Sequence, residues 1–251
     1  MNREDHINKW LKEQEIAQIK GWDFSHIEEH HTQDALPWDY KEEILTYLKP
    51  EHRILDLDTG GGEFLLSLHH PFENTAATEN YPPNVKLCAE TLLPLGIDFK
   101  QADVKDQLPY ADASFDIVLD RHGDFNAAEI YRVLKPGGYF ITQQVGAEND
   151  RELVQALLGD IPLSFPQQYL HLTEAAFEAA GFTVVKTQEA YPMIRFTDIG
   201  ALVWFAKIIS WEFVGFEVEK CLPQLFALQD MLEKNGEVTA KTHRYMLIAQ
   251  K

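Results

Sequence analysis

The stretch Arg53-Ile-Leu-Asp-Leu-Asp-Thr-Gly-Gly-Gly-Glu-Phe constrains this chain more than any other. An apolar run reaches Asp56, and three consecutive glycines, Gly60 to Gly62, then lead into a segment of helical spacing. A strand turning this tightly into a helix belongs in an open α/β sheet. There, ligands lie beyond the carboxyl ends of the strands, and glycines let a ligand approach the backbone. The competing reading is a tight turn that holds no ligand.

The surrounding pattern supports such a sheet. Apolar runs at 53–57, 75–79, 97–101, 115–120 and 139–144 read as strands, separated by helical stretches at 62–70, 83–93 and 124–134. Strands spaced by single helices are βαβ units, and hence a parallel sheet. Further on, helices are expected near 149–158 and over 173–180, 198–212 and 218–233, with strands at 182–187 and 245–249. Before the sheet, Ile7, Trp10 and Leu11 space an amphipathic helix over 3–20, 21–36 reads as a loop, and Pro37 opens a helix over 37–48. The expected architecture is a doubly wound, Rossmann-like, seven-stranded, mostly parallel sheet with helices on both faces and a helical cap. Residues 1–36 would form the cap segment and 37–251 the main domain, with 188–235 as a helical insertion.

Composition narrows the partners. With 22 basic against 40 acidic residues, the formal net charge is -18. Nucleic-acid binders neutralise phosphates with a basic surface, so a nucleic-acid partner is disfavoured and a small molecule favoured. Cys88 and Cys221 lie far apart, with neither metal spacing nor a disulfide framework, and no metal is expected. The amino terminus is charged from the start, and the most apolar stretch, 199–211, is interrupted by Lys207 and too short for a bilayer. The chain reads as cytoplasmic. Its oligomeric state is not legible.

The glycine turn does not suit a pyrophosphate. A G-x-G-x-x-G pattern begun at Gly60 would need its third glycine at Leu65, and Glu63 sets a negative charge at the helix start. A cationic ligand tolerates that neighbourhood better. Glu79, closing the second strand, is placed to accept from both hydroxyls of a ribose, and Asp103, after the third, to accept from an adenine amino group.

In these residues the chain resembles the class I S-adenosylmethionine-dependent methyltransferases, in particular those of ubiquinone and menaquinone biosynthesis. Asp56 to Gly62 resembles the family's D-x-G-x-G-x-G motif, Glu79 its ribose-binding acid and Asp103 its adenine-contacting acid. Leu108 to Asp116 resembles the segment before strand four, and Glu129 to Gly138 contains the family's R-V-L-K-P-G-G signature. The resemblance covers residues 40–150 well. It implies S-adenosyl-L-methionine as cofactor, held by Asp56, Asp58, Thr59, Gly60, Gly62, Glu79, Asn80, Asp103, Val104 and Arg121. It implies methyl transfer to an unidentified acceptor, for which the charge balance favours a small molecule. In the signature, Lys135 is expected in a last helical turn ended by Pro136.

One position departs from the family. Asp58 stands where the motif has its first glycine, and its carboxylate either pairs with the cofactor ammonium or narrows the pocket. That departure keeps open a binding protein without turnover. An rRNA or tRNA base methyltransferase also stays open, as does, more distantly, a nicotinamide oxidoreductase. After strand four, His122 is the candidate general base, or else it and Arg121 only line the pocket. Tyr40, Arg195 and Trp204 are candidate acceptor contacts in a lid. Core packing for the aromatics and a surface ion pair for Arg195 compete with that assignment.

Overall fold

The computed structural model describes residues 2–18 and 24–251. Numbered along the chain, the strands are β1 (His31–Gln33), β2 (Ile54–Leu57), β3 (Thr75–Glu79), β4 (Asp98–Gln101), β5 (Phe115–Arg121), β6 (Leu134–Val145), β7 (Thr183–Ala190), β8 (Met193–Phe196), β9 (Val238–Lys241) and β10 (Arg244–Gln250). The α-helices are α1 (Arg3–Ile16), α2 (Tyr40–Tyr47), α3 (Glu63–Ser67), α4 (Pro82–Thr91), α5 (Ala127–Val133), α6 (Arg151–Leu158), α7 (Leu170–Ala179), α8 (Ile199–Ile208) and α9 (Leu222–Asn235). They divide between two compact units.

The larger unit comprises Pro37–Gly146, Gln167–Ala190 and Arg244–Lys251. Its sheet has seven strands in the order β4-β3-β2-β5-β6-β10-β7, parallel except for β10, which runs antiparallel to both neighbours. Every residue of β2 and β3 is buried. Strands covered on both faces are mostly apolar, and here the only charges, Asp56 and Glu79, lie at or next to the strand ends. The chain order reverses at β2, with β3 on one side and β5 on the other, so the crevice beyond the ends of these strands is the topological switch point. The core of this unit is aromatic, with Phe140 and Phe177 stacked at 4.8 Å and Phe125 and Phe182 packed around them.

Local chemistry sets the element ends. α2 begins at Tyr40 rather than at Pro37, because the Asp39 carboxylate accepts from the amides of Lys41 and Glu42 and so caps the helix. α5 is capped in the same way by Asn126. It stops at Val133, and Lys135 lies in β6, not in a helical turn. Its ammonium reaches Asp116 on β5 at 2.7 Å. Arg132 ties the preceding loop down, donating to the carbonyls of Leu108 and Tyr110 and to the carboxylates of Asp112 and Glu129. The signature is thus a splice between helix and strand.

The second unit comprises Met1–Leu36, Ala147–Pro166 and Tyr191–His243, so 147–166 and 191–243 compact with the amino-terminal segment rather than forming a 188–235 insertion in the main domain. The loop expected over 21–36 contains β1, which pairs antiparallel with β8 in a three-stranded sheet β1-β8-β9. α1 opens on a capping box between Asn2 and Asp5 and ends at Ile16; residues 19 and 20 of the expected helix lie outside the described residues. α8 is buried on all sides except at Lys207, as a helix through the middle of a core must be. Among the described residues, no helix is long and apolar enough to cross a membrane.

Candidate functional site

The site grows from the turn between β2 and α3. The Thr59 amide donates to the Thr78 carbonyl on β3, and the Thr59 hydroxyl donates to Asp56 at 2.6 Å. Gly60 follows with φ +66, and its amide donates to Glu79 Oε2 at 2.8 Å. Gly62 has φ +85, and a Cβ there would stand 2.8 Å from Leu92 Cδ2, so both backbone and packing demand glycine. Asp58 also takes a left-handed φ, +46, which aspartate adopts more readily than most residues.

Glu79 is the hub of the turn. Besides Gly60, its carboxylate accepts from the amides of Asn80 and Tyr81, both at 2.9 Å, and from Asn84 Nδ2 at 3.4 Å. The Asn80 side chain crosses to Asp103 at 3.3 Å, joining the ends of β3 and β4, while Asp103 also accepts from the Lys105 amide. Val104, next after Asp103, is buried in the core cluster that also holds Leu55, Leu57 and Ala76. Asp56, Asp58, Glu79 and Asp103 therefore crowd the ends of three adjacent strands.

The crowding has an electrostatic consequence. Burial raises the Asp56 carboxyl to about 6, against the opposing pull of Thr59 and Arg121. Burial, reinforced by Glu79, Asp124, Asp103 and Asp56, raises Asp58 to about 7. An incoming positive charge relieves this crowding by favouring the ionised carboxylates, whereas a diphosphate adds to the like charge. That donor set fits a cationic nucleoside, and it does not fit a dinucleotide.

Beyond β5 the chain turns through His122, whose φ is +67. The Trp38 indole N–H, which can only donate, reaches Gln143 Oε1 at 2.8 Å. The Gln143 amide nitrogen must then face His122 Nε2, 3.1 Å away, so that this nitrogen accepts. His122 is therefore the neutral, Nδ1–H tautomer. Desolvation, with Arg244 and Arg121 nearby, holds its protonation below the usual histidine range. His122 as a residue remains exposed at this turn. Nitrogen NMR across neutral pH should find one neutral tautomer, and Trp38→Phe should lower stability by about 1–3 kcal/mol by stranding the Gln143 carbonyl. A titrating His122 imidazolium would contradict the first, and an unchanged unfolding midpoint in Trp38→Phe the second.

Residues 55–142 match a family described as the methyltransferase domain. The segment belongs to the methyltransferase-domain family. Among curated relatives, a phthiotriol/phenolphthiotriol dimycocerosates methyltransferase from Mycobacterium tuberculosis is 34% identical over 111 residues, 41% of this chain and 40% of that protein. A demethylmenaquinone methyltransferase from Thermus thermophilus is 32% identical over 117 residues, 42% of this chain and 53% of that one. The chain thus matches about half or less of the length of these relatives. A solved SAM-dependent methyltransferase from Methanosarcina mazei superposes with a TM-score of 0.51 at 17% identity, covering 87% of this chain and 98% of that one, and shares the fold.

Around this methyltransferase domain the expected site residues separate. Asp56, Asp58, Thr59, Gly60, Gly62, Glu79, Asn80, Asp103 and Val104 come together at the glycine turn. Arg121 lies with its guanidinium 4.4 Å from the Phe64 ring, and Tyr40 stacks on that same ring at 5.3 Å. Tyr40 is buried, and its hydroxyl donates to the carbonyls of Asp120 and Ile141, so it anchors α2 to the sheet. Arg195 and Trp204 belong to the other unit. Arg195 pairs with Asp34 at 2.6 Å, and Trp204 is core. Asp120, Gly123, Gln143 and Asn84 escape sequence reasoning. A buried acid inside the apolar run of β5 is the available signal for Asp120.

Proposed function

We propose that this chain binds S-adenosyl-L-methionine at the glycine turn and directs its methyl group to a small, apolar acceptor. The observation that carries the reading is the ring of acids on three strand ends, set around a backbone amide that Glu79 holds. Bound there, the cofactor would supply an electrophilic methyl on a sulfonium. Glu79 would accept from the ribose hydroxyls, the long Asn84 contact giving way, and Asp103 would accept from the adenine amino group. Asp58 would face the ammonium. His122, with its basic nitrogen occupied by Gln143, would orient rather than remove a proton. In-line transfer asks the protein chiefly for alignment and exclusion of water.

The acceptor class rests on two supports. The net charge of -18 repels polyanions, and the names of the two curated relatives point to a lipid and a quinone. Incubation with methyl-labelled cofactor and a bacterial lipid extract should move label into the organic phase. Label appearing only in added tRNA or rRNA would reverse the choice of acceptor. The second reading, binding without turnover, draws on Asp58 in the place of a glycine, and predicts saturable cofactor binding with no labelled product from any fraction.

A further inference from the structure

Gly123, just past β5, has no need of glycine for its backbone, since its φ lies outside the left-handed range. Its need is spatial. A Cβ there would stand 3.0 Å from Asp120 Oδ2 and 3.1 Å from Asp58 Oδ2, so the missing side chain leaves a gap that two carboxyl groups face. Asp120 is fully buried. Its Oδ1 accepts from Gln144 Nε2 at 2.6 Å and from the Gly123 amide at 3.2 Å, while Oδ2 has no partner. An ionised carboxylate with one naked buried oxygen is strongly disfavoured, whereas a carboxylic acid there has a hydrogen to give. Asp58, the more open of the two, faces the same gap.

We propose that Asp120 stays a carboxylic acid that supports Asp58, and that Asp58 is a proton-gated seat for the ammonium group of the ligand, exchanging its own proton for that cation. This rests on the function proposed above and names what Asp58 does there. No bond to carbon is made or broken; one proton passes from Asp58 to solvent as the ammonium enters.

The charged surroundings favour the exchange. Asp58 is faced by Glu79 from β3, Asp103 beyond β4, Asp124 beyond β5 and Asp56 two residues before it, all of which resist its ionisation. Lys105, which pairs with Asp124 at 2.6 Å, and Arg121, beside Asp56, are the nearby cations. Asp120 feels Asp58 and Asp56, and the Tyr40 and Tyr245 phenols pack near it. Burial with these acids holds Asp58 at about 7, so the exchange falls in the neutral range. The sign is fixed: below that value Asp58 is protonated and the cation must displace a proton, and above it the seat is ready.

Calorimetry with S-adenosylhomocysteine, whose only cationic group is the ammonium, tests the exchange in two buffers of different ionisation enthalpy. Affinity should rise roughly tenfold per pH unit below neutrality and level off above about pH 8, with proton release near one at about pH 6 and near zero at the upper end. 5′-Methylthioadenosine, which lacks the ammonium, should bind with little pH dependence. Asp58→Asn, checked for folding by circular dichroism, should bind S-adenosylhomocysteine more weakly and lose the slope. Flat affinity for S-adenosylhomocysteine with no proton released, or an equal slope for methylthioadenosine, overturns the gate and leaves the proposed function standing. Absence of nucleoside binding at every pH overturns both.

Discussion

Replacing Glu79 by alanine is expected to abolish measurable binding of S-adenosylhomocysteine and to destabilise the larger unit at the same time. The affinity loss follows from two charge-assisted hydrogen bonds to the ribose, each worth about 1.5–3 kcal/mol, which together amount to at least roughly a hundredfold. The stability loss has a separate cause. The same carboxylate, itself buried, accepts from the amides of Gly60, Asn80 and Tyr81, and its removal leaves all three to find new partners. A cost of about 2–4 kcal/mol is expected, part of it offset because Glu79 no longer opposes ionisation of Asp58. Asn84→Ala is the control, since its contact at 3.4 Å is the weakest of the set. Denaturant titration and calorimetry on the two variants separate the effects. Wild-type affinity in Glu79→Ala would remove the ribose role.

Trp204→Ala is expected to cost about 3–5 kcal/mol of unfolding free energy in the smaller unit, as truncation of a large buried aromatic does. Trp204 is only 2% exposed, on a helix whose other faces are buried as well, and its ring packs against Phe24 at 5.9 Å and His26 at 5.2 Å. Such a side chain has no free face to offer an acceptor. If the variant unfolds like the wild type while KM for the acceptor rises, the tryptophan is a contact residue and not core.

How much is legible in the sequence differs from element to element. β3 is readable to the residue, because a run of buried strand residues ending in an acid is a local signal. The glycine turn is readable for the same reason, since the positive φ at Gly60 and Gly62 is a backbone demand that the glycines themselves announce. Lys135 reads wrongly as helical because it lies in β6, whose pairing with β5 sets Leu134 opposite Phe115, nineteen positions away in sequence and adjacent only across the sheet. β1, β8 and β9 leave no such trace. Each has three or four residues, too few for periodicity to show, and each exists because of the others. His122 as a general base follows from residue type alone, without Gln143 and Trp38, which decide which of its nitrogens is free.

By itself the sequence determined the parallel sheet and the acids that end its strands. These follow from apolar runs, glycine and proline, whose effects act within a few residues of where they stand. Only the tertiary structure decided that three separate stretches make the smaller unit and that Tyr40 and Trp204 are packing residues. It also decided that Asp120 meets Asp58 across a gap kept open by Gly123. Those outcomes depend on which distant segments are brought into van der Waals contact, and a linear pattern carries no record of that.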